Sequence, residues 1–432
     1  MNRSALRGSI LTFTGDPFFE DPRDCCTFIE DGLLIMKDGL IESVGPYEER
    51  AAEGLDPAYY PQAIICPGFI DGHLHFPQIQ MIGAYGEQLI EWLNTYTFVA
   101  EQDYADPGHA RRAAGVFLAE LLRNGTTTAA VYCTVHPQSA EAFFEASSAL
   151  NTRMIAGKVL MDRNAPEALL DTAESGYEDS RRLLEKWHRH GRQLYAVTPR
   201  FAPTSSPEQL RAAARLWREH PGSYLQSHLS ENRGELAWVQ ELFPESRRYL
   251  EVYEKFGLLG PRSAYGHCIH LEEEDFADFR QSGAAMVHCP TSNLFLGSGF
   301  FKLFEARRQD RPVKVALGTD VGGGTSFSIL RTLNEAYKTA RMLGARLNAF
   351  QGFYLATRGG AEALDLADRI GSLAPGCEAD LIVLDLKATP LMEFRLDFAK
   401  TLAEKLFVLM TIGDDRAVKA TYVAGKKVHS RD

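Results

Sequence analysis

The stretch that decides the fold is Pro67 to Gln78, PGFIDGHLHFPQ. It follows the apolar run Ala63-Ile64-Ile65-Cys66, so it reads as the mouth of a buried β-strand. His73 and His75 stand one residue apart there. On an extended strand alternate side chains share a face, so both imidazoles project to the same side. Two neutral imidazoles held side by side suit a borderline divalent metal such as Zn²⁺. A bare H-x-H also arises by chance on a solvated strand end, so the rest of the chain has to separate the two readings.

Working outward, the chain of 432 residues has the length of one large domain plus a smaller one. Its 45% hydrophobic and 24% charged residues are ordinary for a globular enzyme. A net charge of -11, with no Lys/Arg stripe, argues against nucleic acid as a partner. The seven cysteines are scattered, with Cys25 and Cys26 adjacent and no C-x-x-C, which points to a reducing compartment. The opening MNRSALRGSILTF lacks the pattern of a cleaved leader, and no apolar run reaches membrane-spanning length. The expectation is a soluble, cytoplasmic protein with no membrane partner.

The first 65 or so residues look β-rich: LLIMKDGLIESVG (Leu33 to Gly45) is two apolar runs joined by Asp38-Gly39, a strong hairpin signal. ADLIVLDL (Ala379 to Leu386) and VKATYVAGKKVH (Val418 to His429) echo it at the far end. These ends predict a small discontinuous β-sandwich domain from residues 1–66 and 376–432. The middle, 67–375, alternates. Strand-length runs at Thr126 to Cys133, Met154 to Met161, Leu194 to Thr198, Tyr224 to Ser227, Ala264 to Gly266, Ala284 to Val287 and Val313 to Leu317 join the opening strand to make eight. Helix-like stretches such as Ala110 to Arg123, Tyr177 to His190, Pro207 to His220 and Glu235 to Lys255 lie between them. Eightfold strand-helix alternation predicts an α/β architecture, a (β/α)8 TIM-like barrel. One connection is disproportionately long: residues 77–106, carrying GEQLIEWLNTYTF, read as a lid or pocket wall, or as a small amphipathic helix packed on the rim.

In such a barrel the working residues stand at the carboxyl ends of strands. The first predicted strand ends in His73 and His75, the fourth in Arg200-Phe201, the fifth in His228 and Glu231 (HLSE), the sixth in His267 (YGHCIH), and the eighth in Asp320 (GTD). Four of the 12 histidines therefore fall at these ends, which a purely solvated role explains poorly. His73, His75, His228 and Asp320 make a catalytic metal shell of three imidazoles and a carboxylate. Asp320 is also placed to take a proton from water whose pKa the metal lowers to about 7. Glu231, three residues past His228, must project from the turn beyond the strand and suits protonation of a substrate atom, a contribution of roughly 10²- to 10⁴-fold. His267 would orient the water or stabilise an oxyanion. Gly322 to Gly324 lack the Lys-Ser/Thr of a phosphate loop and read as a turn making space near the metal. Ser292 has no nucleophile elbow around it. His188 and His190 (WHRH) read as solvated, and His136 carries no signal. His270-Leu271-Glu272 mimics the H-x-E of cytidine-type deaminases without the required P-C-x-x-C.

PGFIDGHLH, the strand-end histidines, GTD and the closing GSLAPGCEADLIVLD (Gly371 to Asp385) together resemble the amidohydrolase superfamily over nearly the whole chain. HFPQ, GEQLIEWLNTYTF, VTPRF (Val197 to Phe201), QSHLSEN (Gln226 to Asn232), HCPTSNLFLGSG and GTDVGGGTSFS resemble, more narrowly, its guanine-deaminating branch. That resemblance implies one zinc ion per chain, iron being the alternative, because Arg200 stands where two-metal members carry a lysine. It implies His73, His75, His228 and Asp320 as ligands and Glu231 as the acid acting on a ring nitrogen. Gln78, Arg200 and Phe201 become purine-binding residues, with Trp92 as a second stacking surface and His75, His228, Glu231 and Asp320 also facing the base. It further implies guanine as the small-molecule partner, a hydrolytic deamination to xanthine, and a homodimer. Another aminopurine, a pteridine or a triazine remains open as substrate, and so does a non-catalytic scaffold.

Overall fold

The computed structural model describes residues 3–48, 52, 54–86 and 88–431; Met1, Asn2 and Glu87, part of two quoted motifs, lie outside them. The chain forms two compact units, one of Met1–Asp71, Ala119–Thr128 and Phe327–Asp432, the other of Gly72–Leu118 and Ala129–Ser326.

In the first unit the terminal strands join one seven-stranded hydrogen-bonded sheet, in the order Lys426–Ser430, Val418–Val423, Leu381–Asp385, Ala58–Pro67, Arg3–Phe13, Cys26–Lys37, Leu40–Pro46. The pairing of Arg3–Phe13 with Ala58–Pro67 is parallel and the others are antiparallel. The hairpin forms where Asp38-Gly39 predicts it, with Lys37 paired to Leu40. Asp38 and Gly39 have φ of 50° and 87°, the double left-handed conformation that matches strand twist in a two-residue turn. Leu6, Ile10, Leu34, Ile65, Leu381 and Val383 build the core of this sheet.

The other sheet is the barrel. Its strands are Phe69–His75, Thr126–Tyr132, Arg153–Gly157, Leu194–Pro199, Tyr224–Leu229, Ser263–His267, Ala285–His288 and Lys314–Leu317, side by side in chain order, with Val159–Leu160 as a short extra strand on the fourth. From the third strand to the eighth every pairing is parallel. Such strands need a crossover between them, and helices such as Ala173–Trp187, Pro207–Glu219, Tyr249–Phe256 and Glu273–Ser282 supply it. Between first and eighth strands the seam is bridged at its carboxyl end: Asp320 N–H donates to the His73 carbonyl at 2.8 Å, and His75 N–H to that of Val321 at 2.9 Å.

Two local expectations need correction. Glu235 to Lys255 is not one helix but two, Arg233–Leu242 and Tyr249–Phe256. Pro244 disfavours helical backbone at Phe243, which leaves the helix with φ -133° and ψ 62°. His188 is not solvated: it is half-buried, and its Nδ1 accepts the N–H of Tyr195 at 3.1 Å.

The long connection is ordered protein. After a tight turn over Phe76–Met81 it runs helically from Leu89–Trp92 through Leu93–Thr97 to Phe98–Gln102. The middle turn is widened, Phe98 N–H reaching back to the Leu93 carbonyl, an i→i+5 bond of the kind that recurs at functional sites. Leu89, Trp92, Leu93 and Phe98 pack with Tyr132, Phe201 and Leu296 in one apolar cluster.

Candidate active site

The histidines arrive from three strands. His73 and His75 close the first, His228 is the penultimate residue of the fifth, and His267 ends the sixth. Asp320 comes just after the eighth strand with φ of 49°. His267 (φ 71°) and Ser230 (φ 51°) share this left-handed backbone, rare away from glycine and concentrated where a chain is held for function. At Ser230 it turns the chain off the fifth strand, which is how Glu231 reaches the same cavity as His228.

Nε2 of His75 lies 3.1 Å from Nε2 of His228, and Oδ1 of Asp320 lies 3.4 Å from Nε2 of His73 and 3.5 Å from Nε2 of His75. A tetrahedral ion with bonds of about 2.0–2.1 Å sets its ligand atoms about 3.3 Å apart, so these spacings fit a divalent cation. Nδ1 of His228 is 2.7 Å from the Arg200 carbonyl, which can only accept. Nδ1 therefore carries the hydrogen and Nε2 presents its lone pair to the cluster, the orientation that a metal-ligating histidine needs. Burial, then the neighbouring histidines and Arg200, holds His75 and His228 well below the usual imidazole range, keeping them neutral. Burial alone would raise the Asp320 carboxyl, but the hydrogen bond and potential of His73, then the potential of His267, outweigh it and bring it to about 2. At His75, His228 and Asp320 the donors are thus neutral nitrogens and an anionic oxygen, as such an ion requires.

The local sequence makes room for this. A Cβ on Gly266 would lie 2.6 Å from Cε1 and 2.8 Å from Nδ1 of His73, so only glycine at that place in the sixth strand admits the ring. A Cβ on Gly322 would meet the Gln78 side chain at 2.8 Å, which accounts for the glycines after GTD. The Tyr132 ring packs on His73, His75 and His228, with centroids at 4.7, 4.6 and 4.9 Å.

Above the cluster opens a cavity with about 380 Å³ of empty space, part of it open to solvent. Gln78, Arg200, Phe201 and Trp92 line it together with Leu89, Leu93 and Leu296. Glu231 and His267 face each other there, Oε2 to Nε2 at 3.4 Å. His267 Nδ1 in turn meets Oδ1 of Asn293 at 2.9 Å, and Ser298 Oγ donates to Glu231 Oε1 at 3.4 Å. Burial, reinforced by the charge of Asp320, raises the Glu231 carboxyl well above the usual carboxylate range, so it can hold a proton near neutral pH. The site thus combines a buried group of residues that could hold a cation, a buried acid, and a cavity lined by both apolar and polar side chains.

Of the residues assigned a ligand, catalytic or base-binding role from the sequence, all but His73 line this cavity, and His73 joins the cluster beside it. His136, at the start of helix Pro137–Ala149, does not line it. Sequence reasoning missed Glu101. Fully buried, it accepts from Gln78 Nε2 at 3.0 Å and from Arg200 Nη1 at 2.9 Å on each oxygen. The signal was available: Glu101 sits between Thr97 and Tyr104 on a stripe with helical spacing, where a carboxylate stays only with buried partners. Tyr132, Asn293 and Ser298 had no such signal.

Comparison with known proteins adds to this geometry. The family model described as "Amidohydrolase family" matches residues 64–428. Guanine deaminase of Escherichia coli is 50% identical over 99% of this chain and 98% of its own length. A probable guanine deaminase of Deinococcus radiodurans is 37% identical over 99% and 98%. The solved E. coli enzyme superposes with a TM-score of 0.97 over 99% of this chain and 100% of that one. Guanine deaminase from C. acetobutylicum, solved with guanine bound in its active site, superposes with 0.89 at 28% identity, covering 99% and 100%.

Proposed function

The chain belongs to the amidohydrolase family, and on that premise we infer that it hydrolyses guanine to xanthine and ammonia. The observation that carries this reading is one cavity lined by His75, His228 and Asp320, with His73 clustered beside them, together with Gln78, Arg200 and Glu231. The full-length likeness to guanine deaminases and the guanine-bound relative support the choice of base.

In this reading His73, His75, His228 and Asp320 hold one zinc ion, although an N₃O donor set also accepts iron. A divalent ion held there lowers the pKa of a coordinated water from about 16 to about 7. Asp320 accepts the proton of the attacking water, whose oxygen forms a bond to C2 of guanine. Glu231, kept protonated by burial, donates to the ring nitrogen beside C2, so negative charge does not build on the ring. The water's first proton passes from Asp320 to the amine, the C2–N bond breaks, ammonia leaves, and the remaining hydroxyl proton returns to Glu231 as the C2 carbonyl of xanthine forms. His267, held by Asn293, steers Glu231 and Asp320. Arg200 donates to acceptor atoms of the base, Gln78 pairs with its polar edge, and Phe201 and Trp92 cover its flat faces.

A cytoplasmic homodimer belongs to the same reading. Seven free cysteines suit a reducing compartment, and among the described residues no helix is long and apolar enough to cross a membrane. The test is purified protein given guanine, with xanthine and ammonia followed and bound metal counted. Faster turnover of another aminopurine, a pteridine or a triazine would reject guanine as the substrate.

A further inference from the structure

Three hydrogen bonds converge on the buried carboxylate of Glu101, one from Gln78 Nε2 and two from Arg200 Nη1. Glu101 does not line the cavity, whereas Gln78 and Arg200 both do. An ionised carboxylate only accepts, so the amide nitrogen of Gln78 must face Glu101 and its oxygen must face elsewhere. That oxygen lies beside Gly322, where a Cβ would stand 3.2 Å from it, and the next residue, Gly323, lines the cavity. Among the described residues Oε1 of Gln78 and Nε and Nη2 of Arg200 have no hydrogen-bond partner.

We propose that Glu101 is a positioning and specificity-determining residue: it locks Gln78 as an acceptor beside the Arg200 donors, so the pair recognises a lactam edge. The proposal rests on the guanine reading above. A 6-oxopurine such as guanine offers a carbonyl next to a ring N–H, the complement of a guanidinium next to an amide oxygen. A 6-aminopurine offers an amine next to a bare ring nitrogen, the reverse pattern. A glutamine free to turn over serves both, since its two amide ends differ only in whether they donate or accept. A glutamine pinned by a carboxylate leaves the wrong base with unpaired buried groups, the arrangement that gives strong discrimination.

The experiment compares kcat/KM for guanine and for 2,6-diaminopurine, which carry the same amine at C2 and differ at the lactam edge. In Glu101→Gln the ratio is expected to fall by about tenfold or more, chiefly through KM for guanine, with bound metal unchanged. Glu101→Asp keeps the buried charge and withdraws it by one methylene, so its ratio should fall between wild type and Glu101→Gln. It also carries the test where the Gln variant does not fold. An unchanged ratio in the folded variants, or equal losses for both substrates, overturns the proposal by reducing Glu101 to a structural role. Wild-type protein that forms no xanthine would instead reject the guanine reading itself.

Discussion

The peptide N–H of Asp320 donates to the carbonyl oxygen of His73 at 2.8 Å. With the bond from His75 N–H to the Val321 carbonyl, it ties the segment after the eighth strand to the first, and the Asp320 carboxylate stands 3.4 Å from His73 Nε2 and 3.5 Å from His75 Nε2. Closing the barrel seam and assembling the metal cluster are therefore one structural event. Loss of the Asp320 charge tests the cluster without breaking the seam, because the peptide bond partner remains. Asparagine tolerates the left-handed φ of 49° at this position. Asp320→Asn is expected to keep the fold by circular dichroism while its metal, counted after dialysis, falls well below wild type and turnover is lost.

Glu231 separates metal binding from proton transfer. It touches His267 and Ser298 and is not among the proposed ligands. Glu231→Gln should retain metal at the wild-type level and lower kcat by roughly 10²- to 10⁴-fold. Full turnover in the metal-loaded variant would sink the assignment of Glu231 as the acid.

Gly266 offers a steric probe of the same cluster. In Gly266→Ala the new methyl would stand 2.6 Å from Cε1 of His73, and a buried ring held by neighbours on several sides has nowhere to retreat. Overpacking of this kind costs about 1–3 kcal/mol, read as a lower Tm. Metal affinity should fall as well, since the displaced atoms belong to a proposed ligand; a Tm loss with metal affinity intact would show that the ring has room.

Glu235 predicts a pH dependence of stability. Burial pushes its carboxyl up from 4.5 to about 7. Below pH 4.5 the folded and unfolded states are both protonated. Between 4.5 and about 7 only the folded state holds the proton, so stability falls as pH rises through that window, by about 3 kcal/mol in all. Glu235 accepts the N–H groups of Glu231 and Asn232 as a capping box, and glutamine serves that box as well. Glu235→Gln should thus gain Tm relative to wild type at pH 8 and lose that advantage at pH 5. A parallel pH profile for the two proteins would remove Glu235 as the source.

The chemistry at strand ends was legible because period and topology place it. Alternation on a strand puts His73 and His75 on one face, and a parallel barrel brings the carboxyl ends of its strands to one rim. His228, His267 and Asp320 therefore follow from recognising where each strand stops. Those statements depend on local pattern alone, and the sequence by itself determined them, along with the fold class and the hairpin at Asp38-Gly39. Tertiary structure alone decided the rest. The break at Pro244 redirects a helix, and His188 finds the Tyr195 amide. The insertion folds back so that Glu101 meets Gln78 and Arg200, and Asp320 meets His73 across the seam. The physical reason is that a hydrogen bond between residues far apart in the chain depends on packing of the segments that carry them. No periodicity within either segment records that packing.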